Sequence, residues 1–170
     1  MCGSEVMDRS EAAWRVLSAL PDPEVPAISL VELGIVRGVN LLDDGGVQVV
    51  LTPTYSGCPA TEAIERSVRD ALDEAGLGPA DIVLQRAPAW TTDWISDEGR
   101  AKLRAYGIAP PGRCGEATAQ PIRFHAAPAV DCPRCGSSRT QRLSAFGSTA
   151  CKSLYRCLAC AEPFEHFKPL

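Results

Sequence analysis

Histidine is nearly absent from this 170-residue chain, which holds only His125 and His166. A cysteine nucleophile needs a base beside it, and no local pattern brings either histidine to one. Covalent Cys–His catalysis is therefore not expected. No Glu-x-x-His pair occurs, so the ligands of a carboxylate di-iron site are missing and an oxygenase catalytic component is not expected either. No Gly-rich loop has a phosphate-cradling pattern. No apolar run approaches the roughly 20 residues of a membrane span, so no membrane partner is expected. The opening Met1-Cys2-Gly3-Ser4-Glu5 has no basic-then-apolar leader pattern. The expected compartment is cytoplasmic and reducing, where cysteines are thiols or ligands rather than disulfides.

Positive charge is also scarce. The net charge is −4, unevenly spread. Residues 1–112 carry 9 Lys/Arg against 17 Asp/Glu, a net of −8; residues 129–170 carry 6 against 3, a net of +3. An acidic body argues against nucleic acid, and +3 on the tail supports it only weakly. With 45% hydrophobic and 22% charged residues, the chain suits one α/β or α+β domain with a small appendage.

Cysteine, in contrast, is plentiful, with eight in all, and four form two pairs: Cys132-Pro-Arg-Cys135 and Cys157-Leu-Ala-Cys160. A two-residue spacer folds into a knuckle that points both sulfurs at one ion, and Gly136 supplies the backbone freedom the turn needs. Two knuckles give the four thiolates that tetrahedral zinc prefers. An iron–sulfur cluster takes the same ligands. The metal set is thus Cys132, Cys135, Cys157 and Cys160, with structural zinc expected to hold a tail that has little core of its own. Cys151, between the knuckles, could replace a ligand, act as a redox thiol or pack, and packing ranks first.

Local signals order the rest of the chain. A first helix is expected from a cap at Asp8 or Ser10 to about Leu20, with Trp14, Leu17 and Leu20 on one face. The prolines of Asp22-Pro-Glu-Val-Pro predict an extended segment. Ser29 and Glu32 have capping-box spacing, before a helical turn ending at Gly34. Ile35–Leu42 and Val47–Thr52 read as hairpin arms around Asp43-Asp-Gly-Gly46. A helix to about Ala75 follows, with Ile64, Val68, Ala71, Leu72 and Ala75 inward, then a strand over 81–85. The last helix spans Asp97–Tyr106, with Ser96 as its cap. The fold class is α+β: a small mixed sheet with helices packed on it, plus a C-terminal four-cysteine zinc ribbon. Domain limits are placed at 8–112, a linker at 113–128, and the ribbon at 129–170.

The loop Pro53-Thr-Tyr-Ser-Gly-Cys58-Pro59 precedes the second helix. Pro59 fits a first helical position, making Cys58 the expected N-cap. There the helix dipole and free N–H groups favour a thiolate, and Gly57 lets a ligand approach. Cys58 is a candidate nucleophile or ligand; a small buried cap is the bland alternative. Tyr55, Trp90, Asp93 and Trp94 could surround such a site, although tryptophan more often packs in a core or interface.

Several stretches together resemble a known family: Asp22-Pro-Glu-Val-Pro-Ala-Ile-Ser, Leu51-Thr-Pro-Thr-Tyr-Ser-Gly-Cys-Pro-Ala60, Trp90-Thr-Thr-Asp-Trp-Ile-Ser96, Phe146-Gly-Ser-Thr-Ala-Cys-Lys152 and Tyr155-Arg-Cys-Leu-Ala-Cys160. In this order they are similar to the D-component family of the bacterial phenylacetyl-CoA epoxidase (ring-1,2-epoxidase) system, over roughly residues 22–168. The first half also resembles the iron–sulfur-assembly α/β domain. The resemblance implies a role in aerobic phenylacetate degradation, beside a di-iron oxygenase and a reductase carrying flavin and a [2Fe–2S] cluster. It implies an accessory component, not an enzyme on its own, that helps mature an iron or iron–sulfur centre, with Cys58 holding the cargo. Its partners would be the oxygenase or reductase component and a second copy in a homodimer. A structural adaptor without metal cargo is the alternative, and a zinc-ribbon nucleic-acid binder the third reading.

Overall fold

The computed structural model describes residues 2–55, 60–112 and 129–169. Two compact units emerge, one of Met1–Trp90 with Trp94–Gly99, the other of Thr91–Asp93 with Arg100–Leu170. Fold class follows the expectation: a small mixed sheet with helices in the first, a four-stranded ribbon sheet in the second.

In the first unit, helix α1 spans Cys2–Ala19. It runs through Asp8 and Ser10 instead of starting there, because capping residues are tolerated inside a helix and nothing upstream breaks it. The inward line is Ala13 and Leu17, both fully buried, with Trp14 and Leu20 half-buried. The proline segment is a closed turn rather than an extended run. The buried Asp22 carboxylate accepts the N–H groups of Glu24 (3.0 Å) and Val25 (2.8 Å), an Asx turn that outweighs the extended bias of residues before proline. A bridge between Pro21 and Ser29 closes it.

The capping box forms as read. The Ser29 N–H donates to Glu32 Oε2 at 2.9 Å and the Glu32 N–H to Ser29 Oγ at 3.2 Å. Strands β1 (Val36–Leu41) and β2 (Val47–Leu51) make the hairpin, and β3 (Ala80–Leu84) joins β2 in parallel, in the order β1-β2-β3. Val47, Val49 and Leu51 alternate inward from the central strand. Between β2 and β3 lies helix α2 (Thr61–Glu74), whose Ile64, Val68 and Leu72 are buried. Each such side chain contributes about 1.5–3 kcal/mol by leaving water. Ala71 is half-buried and Ala75 exposed, so the inward face is narrower than the sequence suggested. α2 starts at Thr61, after an Ala60 that is itself helical and offers no side-chain cap. The expected cap at Cys58 falls outside the described residues. α1 and α2 pack on each other and on β1 and β3 respectively.

Helix α3 (Asp97–Tyr106) has the limits read from sequence, and the Ser96 hydroxyl accepts the Gly99 N–H at 2.9 Å. The second unit's sheet holds β4 (Ile108–Ala109), β5 (Thr140–Ser144), β6 (Lys152–Cys157) and β7 (Pro163–Phe167) in the order β4-β7-β6-β5. β4 was not anticipated. It pairs in parallel with β7, placing Ala109 opposite His166. Arg100 braces the same unit by donating to the carbonyls of Thr92 and Pro111. Among the described residues no helix is long and apolar enough to cross a membrane.

Candidate metal centre

Each knuckle is a short turn closed by its own backbone. In the first, the Gly136 N–H donates to the Cys132 carbonyl (2.9 Å) and the Cys132 N–H to the Ser137 carbonyl (3.0 Å). In the second, the Cys157 N–H donates to the Glu162 carbonyl (2.9 Å). The N–H groups of Ala159 (3.4 Å) and Cys160 (3.5 Å) point at Cys157 Sγ. The turns match closely: Gly136 has φ +71° and its counterpart Ala161 has φ +66°. A side chain in that left-handed region costs about 1–2 kcal/mol. Ala161→Gly is therefore expected to raise the stability of the ribbon by up to about 1 kcal/mol, measured as a higher denaturation midpoint with metal content unchanged.

All four sulfurs, of Cys132, Cys135, Cys157 and Cys160, lie within 4.8 Å of one another. Across the knuckles, Cys132 and Cys160 are 3.8 Å apart and Cys135 and Cys157 are 3.6 Å apart. They are free thiols, far outside the disulfide bond length of about 2.05 Å. Tetrahedral zinc, with Zn–S bonds of about 2.3 Å, sets sulfurs about 3.8 Å apart, so this donor set fits the ion. Cys132 and Cys157 are buried; Cys135 and Cys160 are exposed. Behind the buried pair lies a small core of Ala109, Cys132, Cys157 and Phe164, flanked by Val130 and Tyr155. The Tyr155 ring stacks on Phe164 and meets His166 edge-on.

The thiols share one electrostatic problem. Cys157 is drawn down to about 6, first by the Cys160 N–H and then, against burial, by the Ala159 N–H and the neighbouring thiols. Cys160 is pushed up to about 12: the Glu162 N–H pulls it down, but burial and the other three sulfurs outweigh that pull. One sulfur ionises readily and its neighbours then hold their protons, because like charges this close disfavour each other. A dication removes that conflict, and its binding must release protons.

The remaining sequence candidates fall elsewhere. Cys151 is buried, its sulfur 3.0 Å from Thr149 Oγ1 and outside the four-sulfur group. His166 is buried against Ser153, Nδ1 to Oγ 3.5 Å, and burial lowers its pKa. Trp90 is buried in the first unit and donates its indole N–H to the Leu33 carbonyl at 3.1 Å. Half-buried Trp94 lies under the Arg37 guanidinium, 3.7 Å from the ring centroid. Asp93 is exposed and Tyr55 half-buried. Gly57 and Cys58 lie outside the described residues. Sequence reasoning missed Thr52, just after β2, whose fully buried hydroxyl has no hydrogen-bond partner among the described residues. It also missed the buried Lys152, which pairs with Glu165 at 3.0 Å; the apolar-flanked lysine in Cys151-Lys-Ser-Leu154 was the available signal.

Two family models match the chain. One is described as an iron–sulfur cluster assembly protein, over residues 10–81, and the other as the PaaD zinc beta ribbon domain, over residues 116–168. A protein of Escherichia coli (strain K12), provisionally named as the D component of 1,2-phenylacetyl-CoA epoxidase, is 48% identical over 91% of this chain and 90% of its own length. An "Fe-S protein maturation auxiliary factor" of Porphyromonas gingivalis (strain ATCC BAA-308 / W83) is 32% identical over 59% of this chain and 95% of its own. Among solved structures, a domain of unknown function, DUF59, from Bacillus anthracis superposes with a TM-score of 0.54 at 22% identity. That match covers 59% of this chain and 95% of that one, and shows the fold of the matched part alone.

Proposed function

The chain belongs to the D-component family of phenylacetyl-CoA epoxidase, and from that premise we propose that it is a non-catalytic accessory component assisting maturation of an iron or iron–sulfur centre in the epoxidase system. One observation carries this reading: an assembly-protein match over residues 10–81 and a four-cysteine ribbon stand in one chain. The cargo is held at Cys58, in the loop that opens α2. A thiolate before a helix is favoured by the dipole and by the unpaired N–H groups of the first turn. One cysteine cannot satisfy a cluster that takes four ligands, so the cargo is shared with a second copy of the chain or with its recipient. Tyr55, Gly57, Trp90, Asp93 and Trp94 are the proposed surroundings.

Cys132, Cys135, Cys157 and Cys160 hold zinc, which organises the ribbon and takes no part in transfer. The recipient is the oxygenase or reductase component, and the place of action is the cytoplasm. Anaerobic purification with metal and sulfide analysis tests this. Iron and sulfide in the native protein, absent from Cys58→Ser with zinc unchanged, are the expected result. Iron and sulfide absent from both, together with undiminished cluster content in the reductase and oxygenase of a strain lacking the protein, would leave an adaptor without cargo.

A further inference from the structure

Among the described residues Phe146 is the most exposed large apolar side chain of the second unit, at 65%, and Leu143 is also open to water, at 52%. Single apolar side chains at a surface need no explanation, but these two stand on a segment that is pinned from several sides. The Phe146 N–H donates to Ser144 Oγ at 3.1 Å and the Gly147 N–H to the Lys152 carbonyl at 2.8 Å. The Ser148 N–H donates to Glu165 Oε1, while Glu165 Oε2 pairs at 3.0 Å with Lys152, which is 2% exposed. Glu165 reaches so close that a Cβ on Gly147 would stand 2.5 Å from its Oε1. A side chain at 147 would make the carboxylate tip shift from its present place. An ion pair between a buried lysine and a half-buried glutamate thus fixes a short loop whose aromatic ring faces water.

The ring also carries a charge. Lys168 Nζ lies 4.6 Å from the Phe146 centroid and donates to the Ala145 carbonyl at 3.3 Å. No carboxylate pairs with this ammonium among the described residues, and the strand leading into the loop, β5, carries the exposed Arg142. β5 is the edge of its sheet, but a bulge between Arg142 and Ser144 breaks its ladder. Such a bulge blunts an edge against added strands, so recognition here runs through side chains. A fixed aromatic anchor beside cations is the composition of an interface hot spot, and its rigidity lowers the ordering cost of binding.

We propose that Phe146, Leu143 and Lys168 form the anchor by which the ribbon docks onto another protein component of the epoxidase system, on a surface with an apolar socket rimmed by carboxylates. This rests on the reading of the chain as an accessory component of that system. The acidic character of the partner follows from Lys168 and Arg142. Protein is favoured over nucleic acid because the excess charge is small and Leu143 offers nothing to a base or phosphate.

The test is isothermal titration of the full-length, metal-replete protein against purified oxygenase and reductase components of the same organism. Phe146→Ala is expected to weaken binding to one of them by about tenfold or more. Lys168→Glu is expected to slow association and reduce its salt dependence. Metal content and melting temperature stay at the native values in both. If the native protein binds but Phe146→Ala binds equally well, the surface is wrong and the accessory reading stands. If neither component binds the native protein, the accessory reading itself fails. Salt-dependent binding of a single-stranded oligonucleotide, lost in Phe146→Ala, would overturn the protein partner in favour of base stacking.

Discussion

Cys157→Ser is expected to leave the protein without zinc and its C-terminal sheet unfolded, whereas Cys151→Ser changes neither. The core behind the centre is only Ala109, Cys132, Cys157 and Phe164, so two of its four members are themselves ligands. Burying Phe164 contributes about 1.5–3 kcal/mol. A structural zinc site contributes on the order of 10–16 kcal/mol. Leu103, Ile108 and Phe167 are buried in the same unit, but the knuckles themselves have only this small cluster behind them, so a metal outweighs the apolar contribution there. Serine cannot replace the sulfur, because its hydroxyl does not ionise near neutral pH and is a poor zinc donor. Cys151 is equally buried, but its sulfur lies outside the four-sulfur group. A serine there can still bond to the Thr149 hydroxyl and costs about 1–2 kcal/mol. Zinc per chain by elemental analysis, with thermal melting before and after a chelator, separates the two. Acid should act like the chelator. With Cys160 pushed up to about 12 and Cys135 also raised, a bound ion displaces protons, so falling pH favours their return and the ion's release. Zinc at one per chain in Cys157→Ser would sink the assignment.

Legibility in the sequence follows the range of the interaction. The Ser29–Glu32 capping box, the hairpin around Gly45 and the limits of α3 are settled by bonds spanning a few residues. The knuckles were legible for the same reason, since Cys-x-x-Cys spacing is itself the geometry. Two local errors came from competition among local rules. Asp22 turns its chain by accepting two N–H groups where proline suggested an extended run, and α1 continues through its supposed caps. What stayed hidden is long-range. Lys152 reads as a surface charge until Glu165, thirteen positions on, is brought to its ammonium. Thr52 reads as one more strand residue until its burial shows a hydroxyl with no partner among the described residues. A buried hydroxyl without a partner costs about 1–3 kcal/mol, a cost that only burial, and not the local sequence, reveals.

The longest-range case is β4, two residues whose partner strand lies more than fifty positions away, and it yields the second large prediction. Read as sequence, Ile108-Ala109-Pro-Pro closes the domain before the linker, and nothing there points to a metal ribbon. In the structure Ala109 is 2% exposed, pairs opposite His166, and packs in the core with Cys132, Cys157 and Phe164. Ala109→Asp would put a carboxylate into that core. It would be stripped of water and set beside sulfurs that already repel one another as thiolates. The expected cost is about 3–5 kcal/mol, enough to lower zinc content and open β6 and β7 to proteolysis, although the substitution is more than twenty positions from any ligand. Gly112→Asp is the control. It adds the same charge three positions on, where a Cβ meets nothing within 4 Å, and should shift stability by less than about 0.5 kcal/mol. A ribbon that began only after the linker would be indifferent to both substitutions. Native zinc content and melting in Ala109→Asp would therefore mean that residues 129–170 fold without β4, and that its pairing with β7 contributes nothing to the centre.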